Sequence, residues 1–153
     1  MISLLARTWS KLPLWLHILA ARIARPKFRV AVAALAFDER GRVLLFRHTY
    51  RKFEWGIPAG SLEYDEQPRE AIAREFFEES GIQIHVEELL TAVSAQVDHH
   101  VSLIYRCTLA HNQFQPSHEI SEMQYFDPSD LPRMLVEEKE LIRRAAAALR
   151  KDA

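Results

Sequence analysis

The sequence predicts an α/β fold, a mixed sheet with helices packed on it. Two observations carry this. Short apolar, β-branched runs bounded by turn residues recur along the chain. Two helical segments, one opened by Pro68 and one rich in alanine near the C-terminus, interleave with those runs. A third observation sets the scale: 153 residues suit one domain with a real core. No internal repeat or low-complexity tract divides the chain.

The first segment has unusual charge. Residues 1–37 hold six basic side chains (Arg7, Lys11, Arg22, Arg25, Lys27 and Arg29) and no acidic one. Ser10-Lys-Leu-Pro13 predicts a helix start, and Pro26 a stop. Leu12, Leu16, Leu19 and Ile23 repeat at helical spacing, with Leu14, Trp15 and Ile18 widening the stripe. Residues 1–27 are therefore expected to form a basic amphipathic helical extension. Two roles fit it, packing on the domain or on a second subunit (self-association), and lying on an anionic membrane surface. The apolar part is too short, and the cleavage pattern too poor, for a good secretory signal.

The domain proper is expected over 28–153. Phe28–Phe37 reads as a strand, Asp38-Glu-Arg-Gly41 as a turn, and Val43–Arg47 as the return strand. A polar and aromatic loop follows from His48 to Trp55. Gly56-Ile-Pro58-Ala-Gly60 is a turn-rich approach to a helix that starts near Pro68 and stops at Gly81. Leu89–Gln96 and Val101–Leu109 read as strands joined around Asp98-His99-His100. Adjacent histidines in such a turn rarely chelate one ion together, so a hairpin surface is expected there. Met123–Phe126 is another strand, Pro128–Pro132 a loop, and Val136–Leu149 a helix.

Composition excludes several classes. Net charge is −1, so no stable nucleic-acid partner is expected. The lone cysteine, Cys107, excludes a disulfide framework and a cysteine-based zinc site, and fits a reducing, cytoplasmic setting with the first helix at most peripheral to a membrane. No apolar run is long enough for a standard transmembrane helix.

The chemistry concentrates on the Pro68 helix. Glu75, Glu78 and Glu79 stand at i, i+3 and i+4, which places three carboxylates on one face. With Glu75 as reference, Glu79 lies about 40° one way and Glu78 about 60° the other. Like charges so placed repel, and a cation relieves them. A hard cation taking oxygen ligands, Mg²⁺ with Mn²⁺ as the alternative, suits such an edge together with substrate phosphates. Arg74 can reach Glu66 and tie the loop to the helix without neutralising the carboxylate face. Before the helix, Arg51 can neutralise phosphate, and Trp55 either stacks on a base or closes the core.

Gly60, Glu66, Arg74-Glu75, Glu78-Glu79 and Gly81, with apolar residues at Phe76 and Ile82, resemble the signature box of the Nudix hydrolases. Chance coincidence of seven fixed identities is well under roughly 10⁻⁷ per starting position, which disposes of an ordinary solvated acidic helix. Trp55–Gly60 is similar to the family's approach to the box, although Ala59 stands where glycine is usual. Glu119–Pro132 resembles its later acid, strand and Leu-Pro turn. The resemblance covers about 28–149. It implies an α/β/α sandwich that hydrolyses a diphosphate linkage in a nucleoside diphosphate conjugate or a nucleoside triphosphate. It further implies Glu75 and Glu79 as principal metal ligands, with Glu78, the Ala59 carbonyl and Glu119 contributing. Glu119 is metal ligand or base in such a scheme, and Glu66, Arg74, Gly60 and Gly81 are supports. The alternative is a nucleotide-binding or regulatory module of the same fold without turnover. Such a module is expected to lose box carboxylates, and this chain keeps them.

Overall fold

A computed structural model describes residues 13–24, 27–95, 99–111 and 113–152. The readings placed on residues 1–12, on Pro26 and on Asp98 lie outside the described residues. Helix α1 (Leu14–Ala24) follows Pro13. Strands β1 (Arg29–Ala36) and β2 (Val43–His48) are joined by the Asp38–Gly41 turn, where Gly41 adopts φ +74°. The short strands β3 (Trp55–Gly56) and β4 (Ala59–Ser61) lead to α2 (Pro68–Ser80). Then come β5 (Ile84–Ala95), β6 (His100–Leu109), β7 (Ile120–Phe126) and α3 (Val136–Asp152).

The strands form two sheets. One has the order β4-β1-β6-β5, with β1 and β6 parallel and the other pairs antiparallel; the second is β3-β2-β7, antiparallel throughout. Alternation along β1 and β2 explains the layering. Val32, Ala34, Ala36, Leu44 and Phe46 face α2, where they meet Ala71, Ile72 and Phe76. Ala33, Leu35, Val43 and Leu45 face the other way, towards Ile142 of α3 with Leu131 and Met134. Both faces of these strands are buried, so they read as continuous apolar runs. The result is the expected α/β/α sandwich with a mixed sheet. Cys107 is buried in the α2-side core, as its apolar surroundings predicted.

Several boundaries differ from expectation, and three have a physical reason. β5 begins at Ile84 rather than Leu89, because register shifts between Val86 and Glu88 and between Leu89 and Thr91 break the two-residue period that a sequence reading needs. β7 begins at Ile120, since the exposed Ser121 and Glu122 hide its start. The Trp55–Gly60 approach is two short strands rather than a free turn, with Phe46 paired to Gly56 and Ala33 to Ala59.

α1 leaves Leu14, Trp15, Ile18 and Leu19 exposed. Among the described residues, no helix is long and apolar enough to cross a membrane.

Candidate active site

The site is built where β4 meets α2. The backbone of 58–62 is clamped to β1: Ala34 N–H donates to Pro58 O at 2.9 Å and Leu62 N–H to Val30 O at 3.0 Å. α2 opens with Pro68 and with Gln67 N–H donating to Glu70 Oε2 at 3.1 Å. It closes on Gly81, whose φ of +71° suits glycine and whose N–H reaches Phe77 O at 2.7 Å.

Gly60 is required by contact. A Cβ there would lie 1.9 Å from Glu75 Cδ, because the Glu75 carboxylate rests against the Gly60 backbone. Ser61 N–H donates to Glu75 Oε1 at 3.1 Å, which fixes that carboxylate at the loop.

Arg74 ties loop to helix as expected. Its Nε donates to Glu66 Oε1 at 2.8 Å and its Nη2 to Glu66 Oε2 at 3.0 Å, a forked pair, and Nη2 also reaches Ser61 O at 3.2 Å. The guanidinium holds Glu66 below the usual carboxylate range. One expectation is corrected: Arg74 does not leave the carboxylate face unneutralised. Its Nη1 lies 3.1 Å from both Glu75 Oε1 and Glu78 Oε2. Glu78 stands at i+3 from Glu75, which places it on the carboxylate face, and at i+4 from Arg74, which also makes it a neighbour of the guanidinium.

Glu79 is different. It is only 6% exposed, and its Oε2 has no hydrogen-bond partner. Its pKa is pushed up to about 8, by burial first and then by the charges of Glu75 and Glu119; Arg51 and a hydrogen bond from the Ala59 amide act the other way. Glu119 thus faces the box from a separate loop. That loop is stitched to the end of β2, where Thr49 N–H donates to Glu119 O at 2.9 Å and Thr49 Oγ1 to His118 O at 2.8 Å. Tyr50 Oη donates to Glu119 Oε2 at 3.4 Å.

The donor chemistry fits a hard divalent cation. Glu75, Glu79 and Glu119 repel one another around a buried carboxylate oxygen that lacks a donor. Glu78 lies at the rim, its side chain 58% exposed on Arg74. Among the described residues no three metal-ligating side chains already stand around one point.

Trp55 packs its ring edge-on against Phe126, centroids 4.8 Å apart, so closing the core is one of its roles. Arg51 stacks over Tyr50 at 5.8 Å, and its charge reaches Glu79. His99 sits in the turn before β6 with φ +51°, and His100 pairs within that strand, as a hairpin predicts.

Two polar residues escaped the sequence reading. His48 is 2% exposed with both ring nitrogens unpartnered, and burial, then the Arg51 charge, drives its pKa down to about 4. Glu138, in the first turn of α3, buries an unpartnered Oε2, and burial raises its pKa to about 7. Neither carried a signal. Glu137-Glu138 reads as the usual acidic bias of a helix start, and His48 as the first residue of a polar loop.

Comparison with known proteins agrees with this geometry. The NUDIX domain model matches residues 27–146. A MutT-like protein of Streptomyces ambofaciens is 31% identical over 112 residues, 73% of this chain and 72% of its own length. An ADP-ribose pyrophosphatase of Methanocaldococcus jannaschii is 23% identical over 112 residues, 69% of this chain and 66% of its own. The solved structure of a UDP-X diphosphatase superposes with a TM-score of 0.71 at 25% identity, covering 95% of this chain and 78% of that one. A family match over most of the chain, on the loop and helix that carry the carboxylates, establishes that this protein belongs to the Nudix family and is a Nudix hydrolase.

Proposed function

We propose that the enzyme hydrolyses the pyrophosphate bond of a nucleoside diphosphate conjugate, with nucleoside triphosphates as the second candidate class, and that it depends on Mg²⁺ or, alternatively, Mn²⁺. The observation that carries the reading is Glu79: a buried carboxylate with one oxygen free of donors and two further carboxylates, Glu75 and Glu119, pressing on it. Glu75 and Glu79 would be the principal metal ligands, with Glu78, Glu119 and the Ala59 carbonyl contributing. Bound there, a divalent cation would neutralise pyrophosphate oxygens and lower the pKa of a water. The chain's own residues do the rest. Gly60 lets Glu75 lie against the loop, Arg74 and Glu66 hold loop and helix together, and Gly81 ends the helix. Arg51 supplies positive charge for the phosphates, and the partly exposed Trp55 is the stacking candidate. Water forms the new P–O bond as the bridging P–O bond breaks. A carboxylate among Glu78, Glu79 and Glu119 accepts its proton, and the leaving phosphate departs as an anion.

The match to the UDP-X diphosphatase favours the conjugate class, since it spans more of the chain than residues 28–153 alone could supply. A panel of nucleoside diphosphate sugars, nucleoside diphosphate alcohols and nucleoside triphosphates, run with Mg²⁺ and with Mn²⁺, tests the proposal. Faster turnover of conjugates supports it; turnover of triphosphates alone overturns the preference.

For residues 1–27 we propose an extension of the catalytic domain at 28–153, serving an anionic membrane surface or self-association of a cytoplasmic protein. The exposed Leu14, Trp15, Ile18 and Leu19 support this. Co-sedimentation with anionic vesicles and the mass in solution separate the two. A monomer that leaves the vesicles alone contradicts both.

A further inference from the structure

Two carboxylates from two helices, Glu79 buried and Glu138 half-buried, bracket one strap of backbone. The Ala59 amide hydrogen-bonds Glu79 of α2, and the Ile57 amide hydrogen-bonds Glu138 of α3. Each carboxylate then has an Oε2 inside the protein with no partner. Leaving such an acceptor unmet is costly, so both oxygens are poised to take a donor. Arg51 is the cation whose charge reaches both, yet it forms an ion pair with neither.

The space between them is defined at Gly56. A Cβ there would lie 3.3 Å from Glu138 Oε2, 3.4 Å from Arg51 Nη1 and 3.4 Å from His48 Nε2. These three atoms therefore surround one small gap whose floor is open only because residue 56 is glycine. His48, 2% exposed and unpartnered, lines the gap without competing as a cation, since burial keeps it neutral. Arg51 is half-buried, so it can retain one anchor inside while presenting its other N–H groups outward.

We propose that Glu138 is a positioning residue: it draws the Arg51 guanidinium into the gap over Gly56, away from Glu79, and so aims its remaining donors at the substrate's diphosphate. The inference rests on the reading that this site binds a divalent cation and a pyrophosphate. While Glu79 is free of metal, the Arg51 charge acts on both carboxylates without pairing with either. Once Glu79 serves the cation, Glu138 is the carboxylate left to hold Arg51. A guanidinium can do both jobs because its five donors form a planar fork; a lysine ammonium cannot.

The test is a double-mutant cycle on the full chain with Arg51→Ala, Glu138→Gln and both together. Three quantities are read: Mn²⁺ binding by electron paramagnetic resonance, binding of inorganic pyrophosphate with Mn²⁺ present, and KM and kcat on the best substrate of the panel. Glu138→Gln is expected to leave Mn²⁺ binding unchanged, and to weaken pyrophosphate binding and raise KM by about tenfold, with a smaller change in kcat. The double variant should be no weaker than Arg51→Ala alone, because Glu138 acts through Arg51. Glu138→Asp should recover part of the loss. Independent, additive effects of the two substitutions overturn the proposal, as does a Glu138→Gln variant with wild-type KM. If wild type binds neither Mn²⁺ nor pyrophosphate, the site reading itself fails, and this inference with it.

Discussion

Replacing Glu79 by Gln should stabilise the metal-free protein while removing its activity. The buried carboxylate titrates near 8 instead of 4.5. The sign follows from proton counting. Between those values the folded protein holds a proton that the unfolded chain has released, so stability is full below pH 4.5 and is lost as pH rises through 8. At 1.36 kcal/mol per pH unit the loss accumulates to ~5 kcal/mol by pH 8. Glutamine keeps the shape and an acceptor for the Ala59 amide, but it buries an extra N–H₂ at a cost of about 1–3 kcal/mol. The net gain at pH 8 is then about 2–4 kcal/mol, or roughly 5–10 °C in Tm for a chain of this size. Thermal melts of wild type and Glu79→Gln in EDTA, at pH 4.5 and pH 8, isolate the effect, because His48 and Glu138 titrate alike in both proteins. The variant's advantage should appear at pH 8 and vanish or reverse at pH 4.5. Adding Mg²⁺ should raise the wild-type Tm and leave the variant's nearly unchanged. Equal melting temperatures at pH 8 in EDTA, or an advantage that does not change with pH, would refute the reasoning.

Other consequences follow from single contacts. Gly60→Ala places a Cβ 1.9 Å from Glu75 Cδ, so Glu75 must leave the loop; Mn²⁺ affinity should drop at least tenfold, with about 1–3 kcal/mol lost in urea melts. Arg74→Lys breaks the fork on Glu66 and the contact to Ser61 O, and should cost about 1–3 kcal/mol of stability together with kcat. The unfolded chain protonates His48 below 6.5 while the folded one resists until about 4, so stability falls as pH drops through that window by ~3 kcal/mol; urea midpoints of His48→Gln should lack this acid-side slope. Trp15→Glu together with Ile18→Glu should abolish vesicle binding or self-association, whichever wild type shows, without changing kcat.

How far the sequence could be read depended on whether a signal was local. Pro68, Gly81 and the spacing of Glu75, Glu78 and Glu79 are local, and α2 spans the residues they mark. Glu66 with Arg74 was legible because the chain between them is the cap residue Gln67 and about two turns of helix. Arg74's contact to Glu78 follows from its i,i+4 spacing, whereas its contact to the adjacent Glu75 depends on side-chain rotamers that no spacing rule chooses. Glu138 and His48 are ninety residues apart in sequence and meet only because α3 and the end of β2 pack on the same strap at Gly56. Nothing in either neighbourhood distinguishes a buried partnerless group from a solvated one. The start of β5 was lost for another reason: its bulges interrupt the alternation that marks a half-buried strand.

The most direct test of the account is phosphorus NMR of a nucleoside diphosphate conjugate incubated with wild type, Glu75→Gln and Glu79→Gln, with Mg²⁺ and with EDTA. Wild type with Mg²⁺ should convert the diphosphate signals to two phosphomonoesters, and the EDTA sample and both variants should slow by a hundredfold or more. Undiminished cleavage in EDTA, or by either variant, would contradict the claim that these carboxylates hold the metal that hydrolyses a pyrophosphate bond.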